Sequence, residues 1–294
     1  MMDFFPQPVA PTIPCSEMSI FAEGLDHPEG LAFDAEGVLW AGGEAGQIYR
    51  IVEGKVEQVG DLGGFCLGVT VSRHQELFVC NLGLHALQRV DRSGRVLATI
   101  DRVDGQKLET PNFSVFDSQG NLYFSDSGKW YSGNGCVYRL SASGIAERFA
   151  GPFAFANGLC LNAAEDSLFV VESQLDRVTR VPIRSDGEAG PAEAYASGLA
   201  RVPDGIAMDS EQNLYVTCYA TDCLYRVTPA GAVELFAYDP EGTILARPTN
   251  VAFGGMDGKD LYVANLGRWH ITRLRTETTG QPLAASAGAR TMLP

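Results

Sequence analysis

Basic side chains are scarce in this chain: 22 Lys and Arg stand against 36 Asp and Glu, a formal net charge of −14 over 294 residues. Nucleic acid and anionic membrane surfaces need a basic face, so both partner classes are disfavoured. Long apolar runs are missing too, since none reaches the roughly 18 residues of a membrane span. The opening MMDFFPQPVAPTIPC has no basic n-region and is broken by prolines, unlike a secretory leader. Seven cysteines occur without a C-x-x-C pair. Cys66, Cys80, Cys136, Cys160, Cys218 and Cys223 fall mostly in apolar strand patterns and read as reduced packing residues of a cytoplasmic protein. No G-x-S-x-G elbow or Walker-type loop is present, which removes support for serine-hydrolase and nucleotide-binding readings. No stretch carries the i, i+3, i+4 apolar spacing of a helix.

What the chain does have is repetition. HPEGLAFD, from His27, is echoed by CLGVTVS from Cys66, TPNFSVFD from Thr110, FANGLCLN from Phe155, VPDGIAMD from Val202 and PTNVAFGG from Pro248. Glu29, Leu67, Asn112, Asn157, Asp204 and Thr249 are the equivalent residues, spaced 38, 45, 45, 47 and 45 apart. Each copy has three short runs of aromatic and β-branched residues, and most have a fourth before them, bounded by Gly, Asp and Asn turns. Four strands per period near 45 predict an all-β, six-bladed β-propeller. SIFAEGL, residues 19–25, is a fourth strand without its own blade. It is expected to complete the last copy and close the ring. The propeller is expected over 19–275, with an extension at 1–18 and a covering or disordered tail at 276–294.

The start of each innermost strand lies nearest the central channel, so the six equivalent residues should meet at one mouth. Glu29, Asn112, Asn157 and Asp204 would bring two carboxylates and two amide oxygens together. Such an all-oxygen set suits Ca²⁺; Mg²⁺ and Mn²⁺ fit the same donors, and Zn²⁺ fits them less well. For a single copy the competing explanation is a turn, because N-G and D-G are common turn dipeptides.

HPEGLAFD, TPNFSVFDSQGNLYFSD, FANGL, VPDGIAMDSEQNLYV and PTNVAFGG together resemble the senescence marker protein/gluconolactonase/luciferin-regenerating enzyme family, across residues 19–274. The resemblance implies a divalent cation, usually Ca²⁺, in the channel and lactone hydrolysis as the usual activity. Glu29, Asn157 and Asp204 match the family's core ligands, and Asn112 matches an asparagine that reaches metal or substrate. Two departures stand out. Pro111-Asn112-Phe113 replaces the common P-N-D, and Thr110 stands where sugar-lactone members carry Arg.

For lactone opening, the cation is expected to stabilise the developing oxyanion. Asp204 is the candidate base; direct attack by Asp204 is the alternative. Glu29 would balance the cation's charge. The turns between second and third strands should line the pocket for a small-molecule substrate, with His85, Trp130, Tyr131, Tyr219, Trp269 and His270 as candidate contacts beside Asn112. Glu44, Asn81, Glu172, Asp222 and Asn265 fall in the same turns. A ligand-binding propeller without catalysis, and a metal-free condensing enzyme resembling strictosidine synthase, are the competing classes.

Overall fold

The computed structural model describes residues 10–282. Six four-stranded antiparallel sheets stand as blades around a channel. Strands are lettered A to D outward from the channel. In blade 1 they are Leu31–Phe33, Leu39–Gly42, Gln47–Val52 and Lys55–Asp61. The A strands of blades 2 to 6 are Cys66–Val71, Pro111–Phe116, Ala156–Leu161, Pro203–Met208 and Pro248–Gly254. Ser19–Glu23 supplies the outer strand of blade 6, pairing antiparallel with His270–Arg275 so that Glu23 lies opposite His270. The first strand of the chain thus closes the ring against its last.

Hydrophobic packing follows the blade boundaries. Leu31, Leu39 and Tyr49 of blade 1 pack on Tyr262, Ala264 and Ile271 of blade 6. Ile48 and Trp40 of blade 1 meet Val69, Val79 and Val90 of blade 2. Six such clusters make up the core among the described residues.

The A–B turns carry buried aspartates with fully used carboxylates. Asp34 accepts the N–H groups of Glu36 and Val38, each at 2.9 Å, and the Trp40 indole N–H at 2.9 Å. Asp209 accepts N–H groups from Glu211 and Asn213 and the Thr278 hydroxyl at 2.6 Å. That last bond belongs to the tail. Gln281 donates its N–H to the Met208 carbonyl and its side-chain amide to that of Leu161. The described part of the tail therefore covers the A–B-turn face at blades 4 and 5, beside an apolar channel cavity of about 360 Å³. Residues 283–294 lie outside the described residues, as do 1–9 of the extension. Thr12 and Ile13 of the extension add hydrogen bonds to the outer strand of blade 5.

Candidate active site and metal centre

In five blades the A–B ladder breaks at one place. Pairing jumps from Cys66 to Val69, Pro111 to Ser114, Ala156 to Leu159, Pro203 to Ile206 and Pro248 to Val251. The skipped pairs begin with Leu67, Asn112, Asn157, Asp204 and Thr249. Glu29 lies just ahead of the short strand A of blade 1. A bulge bends the strand and re-aims a side chain, and here it takes each equivalent residue out of the ladder.

Hydroxyls replace the missing ladder bonds. Ser125 Oγ accepts the Phe113 N–H at 3.0 Å and donates to the Asn157 carbonyl at 2.8 Å. Thr217 Oγ1 accepts the Gly205 N–H at 2.8 Å and donates to the Thr249 carbonyl at 2.7 Å. Thr249 Oγ1 in turn donates to the Glu29 carbonyl at 3.0 Å. Each link runs from one blade to the next, so neighbouring blades are tied at the mouth.

The dipeptides N-G and D-G are not turns here. Gly158 and Gly205 sit within strands and have no positive φ. A Cβ on Gly158 would stand 2.5 Å from the Asp204 carbonyl oxygen, and one on Gly205 would run into that of Thr249. Glycine is needed because the next blade's backbone passes against it.

Glu29, Asn112, Asn157 and Asp204 are all buried. Asn112 Nδ2 donates to Ser127 Oγ at 3.0 Å, and Ser127 donates to the Ala156 carbonyl at 2.6 Å. Asn157 repeats the arrangement: Nδ2 to Ser173 Oγ at 3.2 Å, then Ser173 to the Pro203 carbonyl at 2.6 Å. A serine has one proton, and here it goes to a carbonyl, so the hydroxyl accepts from the amide nitrogen. That fixes each amide plane. Both Oδ1 atoms are left buried without a hydrogen-bond partner. An unsatisfied buried acceptor costs about 1–3 kcal/mol.

The two carboxylates are also unsettled. Burial pushes Asp204 up to about 8, with a hydrogen bond from Asn157 pulling the other way. Burial, and then the nearby charge of Asp204, raises Glu29 well above the carboxylate range. Two orphaned amide oxygens and two desolvated, mutually repelling carboxylates fit a hard divalent cation. Leu67 and Thr249 complete the register without such a donor.

Ser127 and Ser173 escaped the sequence reading. Their signal was available: they follow strand B in the two blades that use Asn, where blades 1, 2, 5 and 6 have Gly43, Leu82, Tyr219 and Leu266.

The candidate pocket residues divide. Trp130 packs edge-on against Phe155 at 4.6 Å between centroids, and Tyr131 is 84% exposed beside it. His85 is exposed, with Nδ1 2.6 Å from the Glu109 carbonyl. Tyr219 lies under the Arg247 guanidinium and accepts a hydrogen bond from it at 2.9 Å. Trp269 packs against His27, whose Nδ1 lies 3.0 Å from Asp26 and 3.2 Å from Glu44. His270 requires a correction. It starts strand C of blade 6 rather than a turn, is buried, and commits Nε2 to the Ile244 carbonyl at 3.0 Å.

Asn81, Glu172 and Asn265 also differ from the pocket expectation. Each ends a strand B and pins the segment feeding its own strand A: Asn81 to the Gly63 carbonyl, Glu172 to the Ala154 N–H and Asn265 to the Ala246 N–H. Asp222 similarly accepts the Arg247 N–H at 2.6 Å.

Residues 28–266 match the SMP-30/Gluconolactonase/LRE-like region. A gluconolactonase of Zymomonas mobilis is 26% identical over 72% of this chain and 64% of its own length. Lactonase drp35 of Staphylococcus saprophyticus is 30% identical over 63% of this chain and 60% of its own length. The chain thus spans less than two thirds of these relatives. Among solved structures, a gluconolactonase of Xanthomonas campestris superposes with a TM-score of 0.77 at 21% identity, over 88% of this chain and 89% of that one. The calcium-binding protein regucalcin of Agrobacterium tumefaciens gives 0.75 at 18% identity, over 94% and 98%. At these identities the likeness carries the fold alone.

Proposed function

Because the chain belongs to the SMP-30/gluconolactonase/LRE-like family, we propose that it is a divalent-cation-dependent lactonase acting at this channel mouth. One observation carries the reading: the serine-fixed amides of Asn112 and Asn157 leave buried, unpartnered oxygens beside two buried carboxylates. When bound, a cation, with Ca²⁺ best suited to the donors, supplies Lewis-acid polarisation of the lactone carbonyl. Glu29, Asn112, Asn157 and Asp204 would hold it.

Asp204 is the group that manages the proton. Water adds to the carbonyl carbon and its proton passes to Asp204. The ring C–O bond then breaks, and the departing alkoxide takes that proton, leaving a hydroxy acid that releases its remaining carboxyl proton to water. A carboxylate tied to a cation is a weaker base, so the role requires one Asp204 oxygen to stay clear of the ion. Glu29 provides the second negative charge. The Ser127 and Ser173 hydroxyls hold the amides so that their oxygens need no reorganisation. Trp130, Phe155 and Trp269 offer apolar surface to the substrate's body. Cytoplasmic location belongs to the same reading, consistent with seven free cysteines, six of them buried.

The test is hydrolysis of a panel of γ- and δ-lactones before and after EDTA, with Ca²⁺, Mg²⁺, Mn²⁺ and Zn²⁺ returned singly. The expected outcome is loss on chelation and recovery with at least one ion. Full hydrolysis after chelation would overturn the cation role, and no hydrolysis under any condition would favour a binding propeller.

A further inference from the structure

The residue two places before each of the six equivalent positions forms a second register at the mouth: His27, Phe65, Thr110, Phe155, Val202 and Arg247. Four of these hold left-handed backbone, with φ of 41° at His27, 64° at Phe155, 58° at Val202 and 51° at Arg247. None is glycine, and Val202 is β-branched, so the conformation is strained at these places. Such strain is retained where surrounding structure holds it, as the Asp222 carboxylate does for Arg247 through its N–H.

Arg247 is the one arginine of the register. It is exposed. Its guanidinium carbon lies 5.2 Å from the centre of the Tyr219 ring, and Nη1 donates to the Tyr219 hydroxyl at 2.9 Å. The group is therefore positioned by an aromatic face and a phenol, with Asp222 as its nearby countercharge, whereas Arg89, Arg177 and Arg226 are in direct ion pairs with carboxylates. Tyr219 follows strand B of blade 5, the place that Ser127 and Ser173 hold beside Asn112 and Asn157. It thus stands next to Asp204 in the ring order. Blade 6, which carries Arg247, lies between the blades of Asp204 and Glu29.

We infer that Arg247, oriented by Tyr219 and Asp222, is an anion-recognition residue, and that the substrates are lactones carrying a carboxylate outside the ring being opened. This rests on the lactonase reading. A planar guanidinium with unused N–H donors matches a carboxylate with two hydrogen bonds, which an ammonium cannot copy. In a protein of net charge −14, Arg247 would add a positive group at the mouth beyond the cation held there, favouring approach of an anionic substrate.

The test uses the full chain with its cation, and three ligands of equal size. These are a γ-lactone bearing a carboxylate, the same lactone as its primary amide, and the matching cyclic ether carboxylate, which cannot be hydrolysed. Wild type should favour the carboxylated lactone in kcat/KM by roughly 10–100-fold, the equivalent of one charged hydrogen-bonded pair. Arg247→Met should bring that ratio near one, mostly through KM; Arg247→Lys and Tyr219→Phe should fall between. Calorimetry should show ether carboxylate binding that Arg247→Met loses. A wild-type ratio near one, or a ratio unchanged in Arg247→Met, overturns the inference while hydrolysis itself upholds the lactonase reading. If neither lactone is hydrolysed, the lactonase reading fails, and Arg247-dependent ether carboxylate binding still supports anion recognition. Binding that ignores the substitution overturns it.

Discussion

The two ends of the same A strands use similar residues in opposite ways. Asp34, Asp117 and Asp209 stand five places after Glu29, Asn112 and Asp204, and both sets are buried. At the A–B-turn end the carboxylates of these three aspartates are met by hydrogen bonds: the Asp117 oxygens accept the backbone and side-chain amides of Asn121 at 2.8 and 2.7 Å. At the channel mouth the carboxylates are desolvated and repel each other, while the amide oxygens beside them have no partner. Burial alone therefore does not mark a functional polar group. What separates the two ends is whether the protein itself satisfies what it has buried.

That contrast can be broken from either end. The largest expected effect is at Asp204. Asp204→Asn should lower kcat on a responsive lactone by about 10²–10⁴-fold while calorimetry still detects the cation; near wild-type turnover would eliminate the base and nucleophile roles. Next comes the cation-free protein. Its folded Asp204 carboxyl, raised by burial to about 8 from the ordinary aspartate value of 3.8, holds a proton that the unfolded chain releases. Stability present at about pH 4 should thus be lost as pH rises toward about 8, and Ca²⁺ should restore it. Thermal melts in EDTA across that range check the sign, and a flat profile contradicts it.

At the opposite end, Asp209→Ala removes an acceptor used by Glu211, Asn213, Tyr215 and Thr278. A loss of about 3 kcal/mol in chemical denaturation is expected, with cation affinity preserved. The smallest effect concerns the serines. Ser173→Ala frees the Asn157 amide to rotate and should weaken cation affinity by roughly tenfold, about 1.4 kcal/mol, with partial recovery in Ser173→Thr. Equal affinity in all three proteins would reduce Ser173 to a backbone tie.

The turns made the fold legible. Gly, Asp and Asn punctuate each copy, and the aromatic and β-branched runs between them form the expected strands, including Ser19–Glu23 in the last blade. The bulged register was legible as a list of residues and illegible as geometry. Gly158 and Gly205 look like turn formers when only their own chain segment is considered. The need for glycine comes from the backbone of the following blade, some 45 residues away. Asn81, Glu172 and Asn265 were unreadable for a similar reason, since their partners lie in the segments feeding strand A. His270 shifted from turn to strand because the turn after Asn265 holds only four residues before strand C begins.

The break in the ladder has one more consequence. A side chain there has no cross-strand partner whose fit it must preserve. The same backbone accepts leucine in blade 2, asparagine in blades 3 and 4, aspartate in blade 5 and threonine in blade 6. The five bulged positions are therefore released from ladder pairing, so different side chains can be written into them while the ladder on either side is kept.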